Sequence, residues 1–159
     1  MEEEVEFAKG LTKKLTELVG VEAEVDVFVK EGALYVDVKG DPRGILIGKH
    51  GRTLDALQMI INRMINKRLS GVAKVVLDVD DYRKRRSDSL AGMAVRLGEK
   101  AKTMGHVLTV GPFNARDRRI IHMALKDDPS LKTESLGDGE IKKIAIIPEK
   151  KEGWKNRII

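Results

Sequence analysis

The chain has 159 residues, of which 42% are hydrophobic and none is cysteine, so it can form a packed core but not a disulfide framework or a thiolate metal site. No apolar stretch approaches the roughly 20 residues that span a bilayer, and the acidic start is unlike a signal peptide. The net charge of +5 is uneven, because residues 1–41 hold 11 acidic and 5 basic side chains while residues 42–159 hold 14 and 25. These features predict a cytoplasmic protein whose basic surface suits a polyanion such as nucleic acid.

The first half of the chain predicts a helix, a hairpin, a glycine loop, a second helix and a strand. Leu11, Leu15 and Leu18 recur at helical spacing, whereas the segments after Gly20 alternate apolar and polar side chains. The predicted elements are a helix at 3–19, strands at 21–29 and 33–38, a helix at 52–69 and a strand at 74–80.

The second half predicts two further helices and a small sheet. Asp81 and Asn114 are residues that favour helix N-caps, and Gly111-Pro112 is typical of a turn. The predicted elements are a helix at 82–104, a strand at 106–110, a helix from 114 to about 126, and a hairpin at 131–136 and 141–147. A polar tail follows at 149–159.

The glycine loop is the first candidate binding element. Gly48 and Gly51 allow a tight turn that brings backbone amides against a phosphate, and the helix that follows adds exposed amides and a partial positive charge. Lys49, His50 and Arg52 add side-chain donors at the same place. This pattern resembles the GxxG loop of KH domains, which holds the nucleotide backbone while bases lie in an apolar groove. The groove is expected to be lined by the residues just before the loop, Ile45, Leu46 and Ile47.

A second basic cluster lies on the helix that begins at Asn114. Arg118 and His122 are four residues apart and therefore face the same way, and Arg116 and Arg119 flank them. Arginine suits phosphate oxygens, and histidine hydrogen-bonds or stacks on a base. Equally, Arg118 would serve in a surface salt bridge and His122 as a partly buried helix residue.

Two charged segments leave alternatives open. The run at 83–86 (RKRR) is either a solvated helix face or a phosphate contact. Asp78, Asp80 and Asp81 are either helix-cap and strand-end residues or ligands of a metal-dependent nuclease.

Three segments in this order resemble the bacterial Jag proteins, also called KhpB or EloR. They read IGKHGRTLDALQ at 47–58, DVDDYRKRR at 78–86 and PFNARDRRIIH at 112–122. The resemblance implies an α+β fold, in which a type II KH domain of order αββααβ occupies residues 1–80. A small α/β domain named for its Arg-x-x-x-His signature, with a short antiparallel sheet, would occupy residues 81–148, ahead of the polar tail.

The resemblance also implies a function. It implies binding of single-stranded RNA, with single-stranded DNA as a second ligand, by a non-enzymatic regulator that acts after transcription and is linked to cell-envelope growth or sporulation. It implies no cofactor and no metal, and a small KH-only partner protein or a homodimer. A protein adaptor and a metal-dependent nuclease remain the alternatives. Many family members carry an additional domain ahead of the KH unit, which these 159 residues lack.

Overall fold

A computed structural model describes residues 1–69 and 74–149. The chain divides into two compact units, Met1–Lys84 and Arg85–Ile159, and the division falls in the first turn of a long helix. Each unit has its own hydrophobic core. Most of the predicted polar tail, residues 150–159, lies outside the described residues.

The first unit places two helices against one three-stranded sheet. Strand β2 lies in the centre, antiparallel to β1 and parallel to β3. A parallel pair requires a crossover connection, and the glycine loop and α2 supply it. Leu54, Ile61 and Ile65 of α2 are fully buried against this sheet. The elements are α1 (Glu2–Leu18), β1 (Glu24–Lys30), β2 (Ala33–Lys39), a 3-10 turn (Lys49–Gly51), α2 (Arg52–Leu69) and β3 (Lys74–Val79).

The segment between β2 and the glycine loop is one turn long. Residues 42–47 form turns, and the amide of Gly48 donates to the carbonyl of Gly44 at 2.9 Å. Pro42 and Gly44 disfavour a longer helix here. The first of the two consecutive helices in the expected αββααβ order is therefore reduced to a single turn.

The second unit packs two helices on an antiparallel sheet of order β4-β6-β5. Its core contains Leu90, Ile121, Leu125 and Ile144. The expected α+β class and the short antiparallel sheet are confirmed. The elements are α3 (Tyr82–Met104), β4 (Leu108–Phe113), α4 (Ala115–Leu125), β5 (Leu131–Leu136) and β6 (Lys142–Pro148).

Two local predictions are wrong. Gly111-Pro112 is not a turn, because β4 continues through it to Phe113 with an irregular register against β6. Gly111 has a φ of 121°, and a Cβ there would lie 3.2 Å from Cα of Lys143, so the glycine permits a close approach of the two strands. The first turn of α3 donates to Asp78 rather than to Asp81, through the Arg83 amide at 3.3 Å.

The longest of these helices, α3, has 23 residues and a strongly charged first turn. Among residues 1–69 and 74–149, no helix combines the length and the apolar character needed to cross a bilayer.

Candidate nucleic-acid interface

Both glycines of the Gly48–Gly51 loop are required by close packing. Gly48 has a φ of 70°, and a Cβ there would lie 2.2 Å from Oγ1 of Thr53. Gly51 has a φ of 80°, and a Cβ there would lie 2.7 Å from Cε1 of Tyr82. Only glycine fits both the backbone conformation and the space. The loop is therefore held tightly between the first turn of α2 and the Tyr82 ring.

The amides around the loop are divided into bonded and available ones. The carbonyl of Ile47 accepts two amides from the first turn of α2, at 3.0 and 3.1 Å, and the Gly48 amide is also bonded. By contrast, the amides of Lys49 and His50 at the tip donate no hydrogen bond within the described part of the chain. These two N–H groups are the backbone donors that the loop can offer to an anion.

Three basic side chains surround these amides. Lys49, His50 and Arg52 are all exposed, and His50 adopts a left-handed backbone conformation with a φ of 55°. They stand at the N-terminal end of α2, where the helix dipole adds partial positive charge. The predicted cationic loop residues are thus brought together at one exposed tip.

The apolar residues before the loop do not share one environment. Ile45 is 41% exposed, whereas Ile47 is 9% exposed and Leu46 is fully buried in the core. Ile45 can therefore contact a ligand directly. Ile47 supports the loop from below through its carbonyl and its buried side chain.

Two aspartates that sequence reasoning did not place in the interface hold the segment before the loop. The Asp41 carboxylate, only 4% exposed, accepts the amides of Ile45 and Leu46 at 2.9 and 2.8 Å. The Asp80 carboxylate accepts the amides of Gly40 and Asp41, both at 3.0 Å. Asp41 next to Pro42 was the available signal, since an aspartate before a turn commonly bonds nearby amides.

These contacts bear on the nuclease alternative. Asp80 lies beyond the end of β3 with a φ of 50°, so it does not share a strand face with Asp78. The Asp78 carboxylate accepts the amides of Val79 and Arg83. Within residues 1–69 and 74–149, no three His, Cys, Asp or Glu side chains are grouped to hold a metal ion.

A polar seam joins α2 to the outer edge of β3. Gln58 accepts the Leu77 amide at 3.0 Å, and Asn62 accepts the Val75 amide at 3.3 Å. Arg83 donates to the Leu77 carbonyl at 3.0 Å and to Gln58 at 2.9 Å, and it pairs with the Asp55 carboxylate at 3.4 Å. Arg83 is therefore an internal contact, although the sequence left it as either a solvated residue or a phosphate contact.

An acidic row crosses the sheet of the first unit. Asp26, Asp37 and Asp78 lie directly opposite one another on the three strands. Burial raises the pKa of the Asp37 carboxyl, and the nearby charges of Asp78 and Asp81 raise this pKa further. This sheet face repels phosphate, unlike the glycine loop.

Arg118 of the second unit is bound to backbone carbonyls. Its Nη1 donates to the carbonyl of Phe113 at 2.7 Å and to that of Glu140 at 2.8 Å. It therefore ties the start of α4 to the loop between β5 and β6. The open alternative of a salt bridge does not describe these contacts.

His122 also faces β5. Its Nδ1 is hydrogen-bonded to Oγ1 of Thr133, and its Nε2 lies 3.4 Å from Oγ of Ser135. The ring is half-buried and packs beside the strand. Arg118 and His122 thus lie on one flank of α4, as their spacing predicts.

Arg116 and Arg119 lie on another part of α4, where they line a groove against α3. The groove end is fixed by Arg86 of α3, which donates to the Asp117 carboxylate at 2.7 Å. Asp117 is 4% exposed, and its amide donates to the predicted cap residue Asn114 at 2.9 Å. The cap prediction is confirmed, whereas Asp117 and Arg86 form a structural ion pair that sequence reasoning missed.

The two units match two family models. Residues 6–79 match the KH domain of KhpA and KhpB, and residues 88–148 match the domain family named for the Arg-x-x-x-His signature. Over 142 residues, 89% of the chain, the sequence is 35% identical to the RNA-binding protein KhpB of Clostridium symbiosum. The chain belongs to the Jag (KhpB) family, whose members join these two domains.

Other relatives agree with this assignment. The KhpB of Bacillus subtilis is 26% identical over 89% of the chain, and that of Lactiplantibacillus plantarum is 34% identical over 75%. The chain spans 63% of the length of the Clostridium relative, 69% of the Bacillus one and 37% of the Lactiplantibacillus one. The matched segments fall within the predicted domain limits of 1–80 and 81–148, which themselves stay predictions.

Proposed function

We propose that the chain binds single-stranded nucleic acid, with RNA as its main ligand, and that it acts by binding rather than by catalysis. The observation that carries this proposal is the Gly48–Gly51 loop, with two available amides and the exposed cations Lys49, His50 and Arg52 at one tip. A GxxG loop of this kind clamps the nucleotide backbone. The relatives named as RNA-binding proteins support the same ligand.

The bases would lie between the loop and the β3 edge. Ile45 offers an exposed apolar contact there, and the carboxamides of Gln58 and Asn62 bring polar groups to the outer edge of the strand. Aromatic residues make up only 4% of the chain. Base contacts of this domain therefore rest on apolar packing and hydrogen bonds.

The Arg-x-x-x-His domain would supply a second contact. Arg116 and Arg119 are exposed cations for phosphate, and Arg118 and His122 form the flank that faces β5. Two binding domains on one chain raise the apparent affinity when both engage the same strand. The expected biological role is that of a cytoplasmic post-transcriptional regulator linked to cell-envelope growth or sporulation.

The test replaces the cations of the loop tip. Lys49→Asp with His50→Asp places two carboxylates where phosphate is expected and should abolish binding to a labelled single-stranded RNA of 12 nucleotides at about 100 mM salt. Both side chains are exposed, so the fold should persist. Fluorescence anisotropy measures the affinity, and circular dichroism checks the fold.

The matched control applies the same change in charge elsewhere. Lys14→Asp with His106→Asp alters two exposed residues outside the loop. Since long-range attraction is screened beyond about 8–10 Å, we expect a small loss of affinity. If the loop variant binds RNA as tightly as this control, the loop does not hold the strand and the proposal fails.

A second candidate function is protein docking through the KH domain. Met59, Ile60 and Met64 of α2 are 67%, 44% and 42% exposed, which is unusual for three large apolar residues on one helix. A small KH-only protein or a second copy of the chain would cover them. Sedimentation of the chain should then show a dimer that persists at high salt and that Met59→Glu dissociates, whereas RNA binding weakens steeply with salt. A monomer at all concentrations would exclude the homodimer.

A further inference from the structure

An open groove runs between α3 and α4 of the second unit. Its volume is about 410 Å³, which lies within the roughly 300–1,000 Å³ typical of ligand clefts. Ala91, Ile120 and Met123 provide apolar lining, and Ser87, Arg116 and Arg119 provide polar groups. Met123 is 52% exposed although it is large and apolar. The groove therefore combines an accessible apolar surface with cations.

The charge of this groove has one sign. The residues that line it include two arginines and no aspartate or glutamate. The one nearby carboxylate, Asp117, is buried and is paired with Arg86 at 2.7 Å, so it does not compete for a ligand. That ion pair joins α3 to α4 directly beside Ser87 and Arg116, which fixes the groove end before any ligand arrives.

The groove is distinct from the Arg-x-x-x-His flank. Arg118 and His122 are directed to the β5–β6 loop and to β5, through Glu140 and Ser135 among others. At 100° per residue, Ile120 and Met123 lie well over 90° around the helix from that flank, and Arg119 lies between the two surfaces. A strand that contacts the flank can thus continue over Arg119 into the groove.

We propose that this groove binds one nucleotide of the single-stranded ligand, with the base against Ile120 and Met123 and the phosphate at Arg119 and Arg116. A nucleotide fits because it presents an apolar ring face and an anion at the same time, as the groove requires. A free anion would leave Met123 unused, and an apolar peptide would leave the arginines unused. The inference rests on the proposed function, since it adds a subsite to the same ligand.

The experiment separates base from backbone contacts. Two labelled probes of 12 units are compared, oligouridylate and an abasic ribose-phosphate oligomer. Met123→Ala should weaken oligouridylate binding about fivefold through lost apolar contact and leave the abasic oligomer unchanged. Arg119→Ala should weaken both probes, by about tenfold, through a lost charge-assisted contact. The control is Val107→Ala, a similarly exposed apolar residue at 54% that does not line the groove.

The outcomes distinguish this inference from the proposed function. If wild type binds neither probe, both fail together. If the Lys49→Asp and His50→Asp variant loses binding while Met123→Ala and Arg119→Ala behave like Val107→Ala, the loop stands and the groove is refuted. An equal loss on both probes for Met123→Ala also refutes a base contact there.

Discussion

Arg118 provides the sharpest test of how the second domain uses its Arg-x-x-x-His signature. The guanidinium bridges the carbonyls of Phe113 and Glu140, which belong to the end of β4 and to the loop before β6. Replacing it with alanine removes both hydrogen bonds at once. We therefore expect Arg118→Ala to lower the stability of the second unit, as well as any contact that the side chain makes with RNA.

The magnitude follows from the two acceptors. A hydrogen bond from a charged group contributes about 1.5–3 kcal/mol when it is shielded. The Phe113 contact is partly buried, whereas the Glu140 contact is exposed, so its carbonyl regains water when the arginine is removed. We expect a loss of about 2 kcal/mol for the pair. In a domain of this size that loss lowers the melting temperature by about 10 °C.

The assay is thermal unfolding of the full chain followed by circular dichroism, with RNA affinity measured well below the transition. Arg118→Lys is the graded variant, because a single ammonium reaches one carbonyl and should retain about half of the stability. An Arg118→Ala melting temperature equal to that of wild type would refute the tether. If affinity fell without any loss of stability, Arg118 would be a phosphate contact alone.

Two further predictions concern the first unit. Gly51→Ala should destabilise the unit by about 1 kcal/mol more than Gly20→Ala, because both have a φ near 80° but only Gly51 faces the Tyr82 ring; equal losses in urea unfolding would contradict the packing. The Asp37 pKa is raised above 3.8 by burial and by Asp78 and Asp81, so its ionisation lowers stability as pH rises through the folded pKa. Asp37→Asn should therefore melt higher than wild type at pH 7, with the gain vanishing below pH 3.8; a gain that is the same at both pH values would show that charge is not the cause.

Much of the fold could be predicted because local patterns and burial agree. The stripe of α2 that contains Leu54, Ile61 and Ile65 is buried as its 3.6-residue period predicts. The hairpin of β1 and β2 follows from alternation and from a turn at Glu31-Gly32, where both residues have a positive φ. The continuation of β4 through Gly111-Pro112 could not be predicted, since it depends on how closely β6 approaches.

The candidate interface could be predicted only in part. The glycine loop and its cations are local, so the sequence places them together at the tip. The supporting contacts are not local, since Asp80 bonds amides 39 and 40 residues earlier and Arg86 pairs with Asp117 across 31 residues. Helical spacing grouped Arg116 and Arg119 with Arg118, but the packing of α3 divides them between two surfaces.

The placement of charge explains how an unevenly charged chain can grip a polyanion. The acidic excess of residues 1–41 includes Asp26 and Asp37, which form a row with Asp78 on one sheet face. Like charges opposite one another on neighbouring strands cost stability, and the raised Asp37 pKa reflects that cost. A phosphate strand is repelled there and attracted to the loop at Lys49 and His50. Because each field fades within about 8–10 Å, the net charge of +5 matters less for binding than this separation of carboxylates from cations.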